Sequence, residues 1–111
     1  MGCIFCKIIK GEVLSKKVYE DELVYAFDDI QPQAKEHSLV VPKQHIENLN
    51  QLGDKELWHA MLKAAQEVAK IKGIDKTGYR TVINCGPDGT QIIWHLHLHV
   101  LGGQLLDSKM G

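Results

Sequence analysis

The chain has 111 residues, 13 Lys and Arg against 14 Asp and Glu, a net charge of −1 with histidines neutral, and 44% hydrophobic residues. Those values describe one globular domain with a real core. They exclude a strongly basic nucleic-acid surface and a charge-rich disordered chain. Three cysteines make an odd count, with Cys85 far from Cys3 and Cys6, which is a poor disulfide framework and points to a reducing, cytoplasmic setting.

Near the N-terminus, Ile4, Phe5, Ile8 and Ile9 fall at helical spacing, and Gly11 closes a turn or two of helix. Lys7 and Lys10 interrupt this apolar stretch, so no secretory signal is expected. Cys3 and Cys6 supply a Cys-x-x-Cys pair, which is half of a tetrahedral zinc site or two small packing residues. Strands are predicted over 17–19 and 23–27, joined by the acidic turn Glu20-Asp21-Glu22. Asp28-Asp29 follows, with Asp28 read as a solvated turn residue, and Pro32 ends pairing.

Ser38-Leu39-Val40-Val41 reads as a buried strand closed by Pro42, and 43–49 as a short helix, with His37 and His45 on either side. A long helix is predicted over 54–72, with Asp54 as N-cap and Gly73 as the C-terminal stop. Its apolar stripe is Leu57, Met61, Ala64, Val68 and Ile71. A second stripe of Trp58, Leu62, Ala65 and Ala69 either packs in the same core or meets a partner subunit; His59 belongs to the surface. The next strand covers 79–84, with Tyr79, Thr81 and Ile83 on one face and Arg80, Val82 and Asn84 on the other. Cys85-Gly86-Pro87-Asp88-Gly89-Thr90-Gln91 is then a hairpin turn or a loop whose backbone approaches a phosphate. No Asp, Glu, Lys or Arg occurs between Gly89 and Leu106, but three histidines, two adjacent glycines and two glutamines make this no membrane helix.

His95-Leu96-His97-Leu98-His99-Val100-Leu101 carries the chemistry. On a strand, side chains alternate, so the three imidazoles share one face and Leu96, Leu98 and Val100 the other. Such a ladder can offer a neutral nucleophile, a proton donor and a positive charge together, which suits phosphoryl transfer. Two other readings stand beside it: ordinary strand histidines, or three ligands of a catalytic metal.

With Gly102-Gly103 after it, this run resembles the signature of the histidine triad (HIT) family of nucleotide hydrolases and transferases. Phe27-Asp28-Asp29-Ile30-Gln31-Pro32-Gln33-Ala34, then His37 with Leu39-Val40-Val41-Pro42-Lys43 and His45, then Asn84, Gly86, Asp88, Gly89 and Gln91, follow in the same order. The resemblance is strongest to the nucleotide-binding branch that acts on purine nucleoside phosphoramidates. It implies a single-domain α+β fold over 1–111, with a mainly antiparallel sheet of about five strands, one long helix and short helices. It implies cleavage at the α-phosphorus through a nucleotidyl intermediate on His97, while the His95 carbonyl holds one His97 proton and His99 and His37 stabilise phosphoryl charge and help protonate the leaving amine. Asp29 would take the ribose hydroxyls, Phe5, Ile8, Phe27, Ile30 and Leu39 the base, and Asn84, Gly89 and Gln91 the phosphate. No cofactor is required for that chemistry. A structural zinc on Cys3, Cys6, His45 and His95, and a homodimer, are implied as well, with a purine nucleotide as the substrate and neither nucleic acid nor membrane as a partner. Within the family the alternative is hydrolysis of dinucleoside polyphosphates; outside it, a nucleotide-binding adaptor with incidental catalysis. Three features depart from the pattern. Asp28 stands where the phosphoramidase branch often carries a histidine, a change that bears on base recognition. Ile92 stands where relatives commonly carry a phosphate-contacting serine, and the C-terminus lacks the Trp and Pro-Pro of many relatives.

Overall fold

The computed structural model describes residues 2–109. In chain order it contains α1 (Ile4–Ile9), β1 (Lys17–Glu20), β2 (Val24–Asp28), β3 (Glu36–Pro42), a 3-10 turn (Leu49–Gln51), α2 (Lys55–Ile71), β4 (Tyr79–Val82) and β5 (Leu98–Gly102). The strands form one antiparallel sheet in the order β1-β2-β3-β5-β4. This is the expected single-domain α+β architecture. No helix of the described residues is long and apolar enough to cross a membrane.

Strand parity divides the sheet into two faces. Val24, Ala26, Val40, Leu98 and Val100 point to the face covered by α2, where they pack with Leu57, Met61, Ala64 and Val68. Each fully buried aliphatic side chain of this kind contributes about 1.5–3 kcal/mol. Tyr25, Phe27, Leu39 and Val41 point the other way and pack under α1 with Phe5 and Ile8. Because α1 has only six residues, it covers one end of that face. The other end of the face carries His37 and His99.

Both ends of α2 follow from sequence. Asp54 Oδ1 accepts from Glu56 N at 3.0 Å, and Gly73, at φ +72°, turns the chain so that Ile74 N reaches Ala69 O at 2.9 Å. The stripes are apportioned differently from expectation. Ala65 and Ala69 are core residues, while Ile71 is 56% exposed; of the second stripe, only Trp58 and Leu62, 40% and 53% exposed, remain outside.

Three other elements differ from the sequence reading. Asp28 lies inside β2 and is no free turn residue: Lys72 Nζ reaches its two carboxylate oxygens at 2.8 and 2.9 Å, and Ser38 Oγ donates to it at 3.1 Å. Residues 43–49 form no helix, because their backbone groups are spent on partners outside the segment. Leu96 N donates to Ile46 O at 2.7 Å, Gln91 Nε2 to Glu47 O at 2.7 Å, and Glu47 N to Gln51 Oε1 at 2.9 Å. Pairing in β5 starts only at Leu98, so His95 and His97 precede the strand and β4 stops at Val82. The alternation nevertheless persists through this irregular run, since Leu96 is buried in the same core as Leu98 and Val100.

Candidate active site

Two groups of donors converge on the open face, and His95 and His97 lie at their junction. In the first, Cys3 and Cys6 are carried by the start of α1, with Cys3 Sγ accepting from Cys6 N at 3.4 Å as the helix cap. His45 and His95 come to them from the irregular segments that flank the sheet. His95 Nδ1 lies 3.3 Å from Cys3 Sγ, 3.6 Å from Cys6 Sγ and 3.1 Å from His45 Nδ1, and His45 Nδ1 is 3.4 Å from Cys6 Sγ. Bonds of about 2.05 Å to nitrogen and 2.3 Å to sulfur in a tetrahedral zinc site place ligand atoms about 3.3–3.8 Å apart. The donor set therefore fits zinc, and the tautomer agrees. His95 Nε2 donates to Pro42 O at 2.8 Å, so the proton sits there and the Nδ1 lone pair faces the cluster. Four protein ligands would leave such an ion no open position, which makes it structural.

The second group is the proposed reaction centre. His97 Nδ1 donates to the carbonyl of His95 at 2.8 Å, so its Nε2 carries a lone pair, and that nitrogen has no hydrogen-bond partner among the described residues. The Phe5 ring packs against the imidazole in a T-shaped arrangement, centroid to centroid 5.1 Å. Next to it, a chain of bonds fixes two further tautomers. Gln33 N, which can only donate, reaches His37 Nδ1 at 3.0 Å. The His37 proton must then sit on Nε2, from which it is donated to His99 Nδ1 at 2.9 Å. That leaves the His99 proton on Nε2, a buried atom without a partner. Such an orphan donor is costly unless a ligand completes it.

Asp29 stands at the side, its Oδ2 3.5 Å from His37 Nε2 and its Oδ1 accepting from Gln31 N at 2.9 Å. Asp29, His37 and His99 are close enough to suggest a second metal site. They do not fit one: a metal on His37 Nε2 would drive its proton to Nδ1, against the Gln33 N–H.

Burial sets the charge state. It pushes His97 below the ordinary histidine value, against the opposing effects of the His95 carbonyl and Asp29. His37 is lowered by burial too, with Asp29 opposing. His99 is pushed down to about 4, by burial first and by the His97 and His37 imidazoles next. At neutral pH the free site is thus uncharged at these three rings, so the resident positive charge expected of the ladder is replaced by aimed N–H donors.

His37 separates two clefts. One, of about 660 Å³, has Asp29 and the 91% exposed Ile30 in its wall. The other, about 580 Å³, includes His99, Asn84, Thr90, Gln33 and Arg80. Phe5, Ile8, Phe27 and Leu39 are not free walls of either cleft but are packed together under α1. Gln91 is not free either. Its Oε1 accepts from Gly86 N at 3.0 Å, and its Nε2 donates to Glu47 O at 2.7 Å and Ile93 O at 3.0 Å, so it holds the loop in place. Gly89 is required because a Cβ there would lie 2.6 Å from Cys85 O. Ile92 is 85% exposed. Sequence reasoning missed Gln33, which acts through its backbone, Pro42, which acts through its carbonyl, and Thr90 and Arg80, whose types carry no signal by themselves.

A HIT domain profile matches residues 10–105. The chain belongs to the HIT family. It is 47% identical over 113 residues to a 14 kDa zinc-binding protein of Zea mays, covering 97% of this chain and 87% of that one. The crystal structure of a HIT family hydrolase from Legionella pneumophila superposes with a TM-score of 0.94 at 41% identity, over 99% of this chain and 100% of the other. A histidine triad nucleotide-binding protein from Candida albicans matches with a TM-score of 0.84 at 32% identity, over 99% and 87% of the two chains. The HIT fold is therefore shared over nearly the whole chain.

Proposed function

We propose that this HIT protein hydrolyses purine nucleoside phosphoramidates at the α-phosphorus through a nucleotidyl intermediate on His97. The observation that carries the reading is the pair of tautomers: a lone pair on His97 Nε2 beside an unpartnered N–H on His99 Nε2. His97 Nε2 attacks phosphorus, the P–N bond breaks with its electron pair going to the amine, and the amine takes a proton from solvent as it leaves. Water then attacks phosphorus, the bond to His97 breaks, and the proton released by water returns to solvent. His99 donates to a phosphoryl oxygen throughout and holds the charge that develops there. The His37–His99 pair has no spare proton for the amine, because the Gln33 amide occupies the position where one would sit. Asp29 and Ile30 border the nucleoside cleft, and Asn84 faces the phosphate.

The Cys3, Cys6, His45 and His95 cluster would hold a zinc ion that ties α1 to His95 and supplies stability. The exposed Trp58 and Leu62 of α2 together with the edge strand β4 support a homodimer, since a two-fold partner would cover the same patch on each copy. Leu62→Glu should lower the solution mass to that of a monomer; an unchanged mass would count against this patch. Arg80, in the cleft beyond His99, favours a second reading, in which the leaving group is itself a phosphate chain. Turnover of adenosine and guanosine phosphoramidates against dinucleoside polyphosphates separates the two. The first reading expects the phosphoramidates to be preferred and His97→Ala to abolish turnover while AMP still binds. Preference for the polyphosphates would transfer the assignment to the second.

A further inference from the structure

Among the described residues, Thr90 is the one non-glycine with positive φ, at +61°. For a β-branched side chain this backbone conformation is strained. The surrounding loop imposes it. Gln91 N donates to Gly86 O and Thr90 N to Pro87 O, both at 3.0 Å, while the saturated Gln91 side chain and the closely packed Gly89 fix the residues on either side. Glycine would sit at position 90 without strain, as it does at Gly86 with φ +76°. Strain that the surroundings hold in place points to a use for the side chain that bears it.

The use follows from position. Thr90 shares the cleft of about 580 Å³ with His99, His37 and Asn84. Its hydroxyl now donates to Gly89 O at 2.6 Å, a local bond that a rotation about one torsion releases. The buried His99 Nε2 donor has no acceptor, and Ile92 supplies no hydroxyl to the site, being an apolar side chain turned to solvent. A cleft bordered by several donors and wanting acceptors matches the non-bridging oxygens of a phosphate.

We propose that the Thr90 hydroxyl is a phosphate-binding group, donating to an α-phosphate oxygen beside Asn84 and His99. This rests on the nucleotide reading of the same cleft and assigns it a contact that position 92 does not make. The test is calorimetric titration of AMP and of adenosine into the wild type, Thr90→Gly and Thr90→Ser, with melting temperatures recorded for each. Thr90→Gly should bind AMP about tenfold to hundredfold more weakly, bind adenosine unchanged, and melt higher than the wild type because the left-handed strain is gone. Thr90→Ser should recover most of the AMP affinity. An AMP affinity unchanged in Thr90→Gly, an equal loss for adenosine, no recovery in Thr90→Ser, or a melting temperature that does not rise would each overturn the assignment. A wild type that binds neither AMP nor adenosine would overturn the nucleotide reading along with it. A wild type that binds AMP beside an unaffected Thr90→Gly would remove only the role of Thr90.

Discussion

The two polar clusters of this HIT protein contain similar groups and are built for opposite ends. Each includes two histidines within about 3 Å of each other and acidic or thiol neighbours. What separates them is the partner of the remaining ring nitrogen. His95 turns its Nε2 to a carbonyl, which takes a proton and leaves Nδ1 bare toward Cys3, Cys6 and His45. His37 turns its Nδ1 to an amide, which gives a proton and forces the other nitrogen to keep its own. The first arrangement suits a metal ligand; the second makes a hydrogen-bond donor and passes that polarity to His99. His97 sits between, held by the carbonyl of a residue in the first cluster and facing the second.

The largest effects should come from exchanging these roles. Elemental analysis should find about one zinc per chain in the wild type, and Cys6→Ser should lose it with a fall in melting temperature of many degrees, because metal binding and folding are coupled. His99→Ala should leave the metal in place and cost about 10²-fold to 10³-fold in turnover, the usual loss for one donor to a developing oxyanion. Metal loss in His99→Ala, or none in Cys6→Ser, would erase the distinction between the clusters.

The acid response is smaller. His99 titrates at about 4 in the folded chain and near the ordinary 6.5 when unfolded. In the window between these values the unfolded chain binds a proton that the folded chain refuses, so stability should fall as pH drops through it and level off below about 4. His99→Gln removes the group and leaves the metal cluster alone, and its melting temperature should decline less steeply over the same window. Equal slopes would mean that the buried donor carries no such penalty. The smallest effect expected is on stability in Ile92→Ser, within about 0.5 kcal/mol, since the side chain lies in solvent; a larger change in chemical denaturation would show that this position is packed.

How far these clusters could be read in the sequence depends on which atoms build them. The ladder, the Cys-x-x-Cys pair, Asp54 and Gly73 act through side chains or local backbone geometry, so residue type and spacing reveal them. The absent helix at 43–49 and the late start of β5 could not be seen, because Leu96 and Gln91 claim the backbone of that segment from far along the chain and the Gln51 side chain claims it from just beyond. Ala65 and Ala69 were legible as apolar but not as buried, since two stripes on one helix give no sign of which the sheet will cover. The tautomers were least accessible. They are set by a carbonyl at Pro42 and an amide N–H at Gln33; every residue carries the first and every residue but proline the second, so only folding says where they point.

In the proposed reaction, a proton held by the His95 carbonyl leaves His97 Nε2 as the attacking atom. Rapid quenching of the wild type with an isotope-labelled adenosine phosphoramidate, followed by peptide mapping and phosphorus–nitrogen coupling, reads both the residue and the nitrogen. A nucleotidyl group on His97 at Nε2 is the expected result. Label on no histidine, on His95 or His99, or on the Nδ1 of His97 would contradict it.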